Sequence, residues 1–164
     1  MLIRVSLLLL LAFGMSACST TTPRSAALSS VEIKEVKPRY MEAADFVRVR
    51  EYYSGQEVTG RRMILRSDPD VRDGFYFTLV LDEPIRKLPR GTVIEAEVYT
   101  PFGREAITRS AFLPRERPRT TEIFFGLTGE DWPEAGGMPA AWRFSVKDPR
   151  GRVLGTYESF LWAK

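Results

Sequence analysis

The chain has 164 residues, 44% hydrophobic and 27% charged, which is long enough for one self-sufficient globular domain. It contains no histidine and one cysteine, so imidazole bases, ordinary zinc and copper sites and any disulfide within the chain are excluded. With 24 Lys and Arg against 21 Asp and Glu, the formal net charge is +3, close to neutral.

The amino terminus reads as a targeting segment. Arg4 supplies positive charge, Leu7 to Phe13 form a short apolar run, and the small residues Ser16 and Ala17 precede Cys18. A transmembrane helix needs about 20 apolar residues, and Gly14, Ser16 and Ser19 interrupt this run. The tetrapeptide "MSAC", Met15 to Cys18, resembles the lipobox of bacterial lipoproteins, with Met15 standing where Leu is usual. That resemblance implies a signal peptide over residues 1–17, cleavage before Cys18, a diacylglycerol thioether on the Cys18 thiol and acylation of the new amino terminus. The lone thiol then belongs to lipid, which removes it as a nucleophile. Two or more acyl chains give permanent anchoring, whereas one holds only marginally at about 0.8 kcal/mol per buried methylene. Ser19 after the cysteine implies, by the same resemblance, transport to the outer membrane of a Gram-negative-type cell. The first expected partner is therefore the membrane itself, and nucleic acid is not expected outside the cytoplasm.

Residues 18–30 form the lipidated cysteine and a linker. The stretch "STTTPRSAALSS" has almost no large apolar side chains, so burial cannot offset the entropy of ordering it. A flexible chain of this length has ends about 20 Å apart.

Residues 31–164 read as one domain built from short strands. In "FYFTLVL", Phe75, Phe77, Leu79 and Leu81 share one face and Tyr76, Thr78 and Val80 the other; in "VIEAEVY", Ile94, Ala96 and Val98 alternate with Glu95 and Glu97. The same period groups Ile123, Phe125 and Leu127, and then Trp142, Phe144 and Val146. Further strands are expected over Phe46 to Tyr53, Arg62 to Arg66, Ala106 to Leu113 and Val153 to Trp162, with turn signals such as "DEP", "LPRG", "TPFG" and "DPRG" between strands. Seven or eight short strands without a long amphipathic helix predict an all-β, antiparallel sandwich resembling the immunoglobulin or fibronectin type III architecture, a small closed barrel being the alternative. In the last hairpin, a two-residue loop pairs Trp142 with Tyr157 and Phe144 with Gly155, whereas a bulge at Gly151, expected because Gly follows a type I turn, slips the register and turns Phe160 and Trp162 inward.

Candidate chemistry is sparse. "SDPDVRDG" places Asp68, Asp70 and Asp73 in a row, but a calcium loop needs a ligand where Arg72 stands, so it reads as a polar turn. Glu130 and Asp131 are adjacent in "GEDWP" rather than opposed as a glycosidase requires. No catalytic residue, cofactor or metal is assigned, and the chain is not expected to be an enzyme. Arg115, Arg117 and Arg119 alternate, which in an extended segment projects them to one side, toward lipid phosphates or an acidic partner. The competing reading is a solvated edge, since Glu116 and Glu122 dilute the charge. Tyr76 and Phe124 point outward from neighbouring strands, with Tyr99 and Trp132 as further exposed aromatics, unless residues Val31 to Tyr53 fold over them. The expected role is an accessory or scaffolding subunit that binds an envelope protein non-covalently. A carbohydrate- or peptidoglycan-binding module is the alternative, and a carboxylate-dependent hydrolase a remote one.

Overall fold

The computed structural model describes residues 28–164; Cys18, the signal peptide and most of the expected linker lie outside the described residues. In chain order the strands are β1 (Ile33–Met41), β2 (Met63–Arg66), β3 (Gly74–Leu81), β4 (Val93–Tyr99), β5 (Ile107–Phe112), β6 (Glu122–Thr128), β7 (Ala141–Lys147) and β8 (Val153–Glu158). A 3-10 turn (Ala43–Asp45) and one short α-helix, α1 (Glu51–Ser54), stand between β1 and β2.

The strands form two four-stranded sheets, ordered β1-β3-β6-β2 and β5-β4-β7-β8. Their inner faces share one apolar core: Phe77, Leu79, Ile123 and Leu127 from the first sheet and Ile94, Val98, Phe144 and Val146 from the second are buried. Phe144 bridges the layers, with ring centroids 5.1 Å from Phe77 and 5.7 Å from Phe125. These are the residues that the two-residue period places inward, because alternate side chains of a strand leave opposite faces.

Two expectations about the strands are corrected. Residues Phe46 to Tyr53 are turn and helix, not strand, and the first strand is instead β1. Its alternation is masked by charged residues and by Pro38, which an edge strand tolerates because one side of its ladder is unpaired. The sheets are also not wholly antiparallel, since β2 runs parallel to β6. Residues 42–62 carry the chain from the end of β1 back across the outer face of the first sheet, so β2 starts from the same end as β6.

The last hairpin combines two irregularities. Asp148 N–H donates to the Arg152 carbonyl and Gly151 N–H to the Asp148 carbonyl, each at 2.9 Å, with Gly151 at φ 81°. This loop has one residue more than the tightest turn, as a bulge at Gly151 requires. A second shift follows where Lys147 faces Val153 but Val146 faces Gly155, leaving Leu154 extra. Two single-residue slips restore parity, so Tyr157 faces Phe144 on the inner side. The expected inward turn of Phe160 and Trp162 does not occur: β8 ends at Glu158 and Phe160 is 73% exposed. The second slip lies where the residues before β1 cross β8. Val31 N–H donates to the Leu154 carbonyl at 2.9 Å, and the Val31 carbonyl occupies the space that a Cβ on residue 155 would need.

Candidate functional site: an arginine-lined groove

The outer face of the first sheet is covered. Tyr76 is fully buried, packed against Phe46 with ring centroids 4.8 Å apart, and is therefore not part of any partner surface. Its hydroxyl accepts from Arg66 Nε and donates to the Arg72 carbonyl, both at 2.8 Å. Arg66 also donates to both oxygens of Glu57, at 2.8 and 2.6 Å, and lies over the Phe46 ring. Arg72 donates to Glu51 at 2.8 Å, and Glu51 in turn accepts from the Val58 and Arg48 amides. Burial pulls the Arg66 pKa down, but hydrogen bonds to Glu57 and Tyr76 outweigh it and raise it. Burial likewise pushes the Tyr76 phenol up. The outward aromatic thus acts as the anchor of residues 42–62, whose own apolar contribution is Phe46.

The three alternating arginines do not project together. The segment from Leu113 to Thr121 is irregular, and Arg117 turns inward to donate to the carbonyls of Pro114, Ile85, Leu88 and Pro89 at 2.9 to 3.3 Å. It makes no ion pair among the described residues. Burial, and then the neighbouring Arg90 charge, lower its pKa. Arg117 is a clamp between two loops, while Arg115 and Arg119 remain exposed.

Arg119 is brought together with Phe124, which points outward from β6 beside Tyr76. Both line a groove of about 620 Å³ whose wall also includes Arg48, Arg61 and Arg62, with Glu122 as its carboxylate. Phe124 is half-buried beneath the Arg62 guanidinium, 5.6 Å from the ring centroid. None of the four arginines is in an ion pair among the described residues. A second hollow of about 480 Å³ continues from it past Gly60 and Arg62 to Arg117 and Glu116. Such a groove can hold carboxylate or phosphate oxygens through forked guanidinium donors and can stack a flat group on Phe124. Arg48, Arg61 and Arg62 were not legible as site residues, although the pair "RR" at 61–62 is the local signal; Arg61 and Arg62 meet Arg119 because β2 lies beside β6, and Arg48 because Phe46 docks its segment on Tyr76.

The other aromatic and acidic candidates take ordinary structural places. Trp132 is buried against Phe75, with centroids 4.4 Å apart, which corrects its expected exposure, while Tyr99 is 41% exposed. Asp131 forms a two-pronged pair with Arg109 at 2.5 and 2.7 Å, Asp68 accepts from the Asp70 amide, and Asp73 accepts from the Ala43 amide. Among the described residues no group of three or more acidic, His or Cys side chains is arranged to hold a metal ion.

Comparison with protein-family models, with curated proteins and with solved structures gives no match.

Proposed function

We propose that the protein is a lipid-anchored component of the bacterial cell envelope, held in the outer membrane through Cys18, which works by non-covalent binding as an accessory or scaffolding subunit. Its domain is read as a sandwich of fibronectin type III kind. Setting β2 aside, the sheet orders β1-β3-β6 and β5-β4-β7-β8 support that reading, since the fourth strand in chain order then lies beside its predecessor in the second sheet. Fold alone carries no function.

The observation that carries the binding role is the groove of Arg48, Arg61, Arg62 and Arg119 over Phe124. Four guanidinium groups without carboxylate partners, beside a partly open aromatic ring, fit an acidic segment of a partner protein. Glycan binding is the second reading. Its support is Tyr99, 41% exposed and 5.4 Å from Trp162, although Arg143 covers the Trp162 ring at 4.9 Å.

The test is co-purification from detergent-solubilised membranes with mass spectrometry, comparing the native protein with an Arg61→Glu/Arg119→Glu variant. A near-stoichiometric envelope protein lost from the variant supports the reading. A solitary native protein, or a partner retained by the variant, overturns it.

A further inference from the structure

The two ends of the domain carry opposite charge. At the end where β1, β2, β4, β6 and β8 begin, residues 28–32, 59–62, 82–92, 113–121 and 148–152 hold ten Lys and Arg against five Asp and Glu. At the other end, residues 67–73, 100–106, 129–140 and 159–164 hold seven Asp and Glu against three Lys and Arg.

The basic loops are joined to one another. Arg117 ties the 113–121 loop to the 82–92 loop, Ile85 N–H donates to the Thr120 carbonyl at 3.0 Å, and Gly91 packs beside Pro149. Three of their five acidic residues are engaged: Asp82 accepts from the Glu32 amide, Glu83 pairs with Lys87, and Asp148 accepts from the Arg150 and Arg152 amides, while the Glu32 and Glu116 side chains are exposed. Arg86, Arg90, Arg115 and Arg150 are exposed and outside any ion pair among the described residues. Beside them two apolar side chains are bare, Phe112 at 73% and Val153 at 50% exposure, in one row with Val93 and Lys147 across the second sheet.

The described chain enters at this same end, where Leu28 N–H donates to the Lys87 carbonyl at 3.3 Å. Cys18 stands ten positions earlier, and ten residues span at most about 35 Å.

We propose that the basic end is a docking face for the anionic lipid surface of the membrane to which Cys18 is attached. Arg86, Arg90, Arg115 and Arg150 meet headgroup phosphates, and Phe112 and Val153 enter the headgroup boundary. This rests on the lipid-anchor reading for the position of the membrane. The arginines are spread over three loops rather than converging on one pocket, which suits a charged plane better than a single free anion. Each basic residue close to such a surface strengthens binding about fivefold. Docking would fix the domain upright, with its acidic end away from the membrane and the groove of Arg48, Arg61, Arg62 and Arg119 at the rim of the basic end, where β2 and β6 begin.

The experiment returns the protein purified from membranes to vesicles of phosphatidylcholine alone or of equal parts phosphatidylcholine and phosphatidylglycerol. Flotation and amide hydrogen exchange are then measured. Flotation with both vesicles reports the anchor. Slower exchange over residues 82–92 and 113–121 on the anionic vesicles only, abolished by high salt and by Arg86→Glu/Arg90→Glu/Arg115→Glu, is the expected result. Equal exchange on both vesicles with flotation intact overturns docking and leaves the anchor standing; flotation with the anionic vesicles alone keeps docking and overturns the anchor. Protection reproduced by inorganic phosphate without vesicles, or appearing only with a co-purified protein, also overturns a lipid occupant. If the triple variant does not fold, Phe112→Ser with Arg150→Glu, both at exposed positions, makes the same comparison.

Discussion

Arg66 Nε donates to the Tyr76 hydroxyl at 2.8 Å inside the outer face of the first sheet, although both residues are polar and neither belongs to the shared core. Replacing Tyr76 with Phe keeps the ring on Phe46 but leaves Arg66 Nε and the Arg72 carbonyl without this partner. The expected cost is about 1–2 kcal/mol. Arg66→Ala breaks the pair with Glu57, in which the two side chains are 8% and 25% exposed, and costs about 3 kcal/mol. Urea unfolding of the two variants checks the order.

The same network makes stability depend on acid. The hydrogen bond from Arg66 holds the Glu57 carboxyl below the ordinary carboxylate range, against the opposing effect of burial, and Arg72 with the Val58 and Arg48 amides does the same for Glu51. A carboxyl depressed in the folded state contributes stability that is present above its unfolded pKa and is lost as pH falls through the folded one. The urea midpoint should therefore drop as the pH falls below the ordinary glutamate value of 4.5 and through the depressed folded-state values. Glu57→Gln should flatten that fall but not abolish it. Asp148 is also depressed, where amide hydrogen bonds from Arg152 and Arg150 outweigh burial.

Arg117 and Arg115 should behave oppositely despite lying two residues apart. Arg117→Ala removes a charged donor from four carbonyls and is expected to cost about 2–3 kcal/mol. Arg115→Ala, at an exposed position, should stay within about 0.5 kcal/mol. Thermal melts of the two single variants are sufficient.

Gly155→Ala should destabilise by about 2 kcal/mol or more, because the added Cβ meets the Val31 carbonyl and backbone cannot give way as a side chain end can. Faster hydrogen exchange at the Val31 amide, which donates to Leu154, would locate the damage at that crossing.

Cys18→Ser should yield a precursor that takes up no labelled palmitate and keeps its signal peptide. Normal acyl labelling of that variant would remove the basis for the lipid anchor.

Alternation in the sequence is enough to assign the core-facing residues of β3 and β4. Phe75, Phe77 and Leu79, and likewise Ile94, Ala96 and Val98, alternate at a period of two, and a strand has no other way to bury them than together. The sequence also carried the lipobox resemblance at Cys18, which is local to a few residues. What it could not determine depends on contacts between distant segments. Tyr76 alternates outward as expected, yet Phe46, thirty positions earlier, lies over it, and no local pattern records that. β1 was hidden by its charges and Pro38, and β2 pairs in parallel only because residues 42–62 return the chain to the other end of the sheet. The hairpin register turned on a second slip at Leu154, where Val31 arrives from the far end of the chain. The arginine groove has the same origin. Arg48, Arg61, Arg62 and Arg119 are scattered in sequence, and a charged surface patch has no period to betray it; the pairing of β2 with β6 and the docking of Phe46 on Tyr76 together bring them around Phe124.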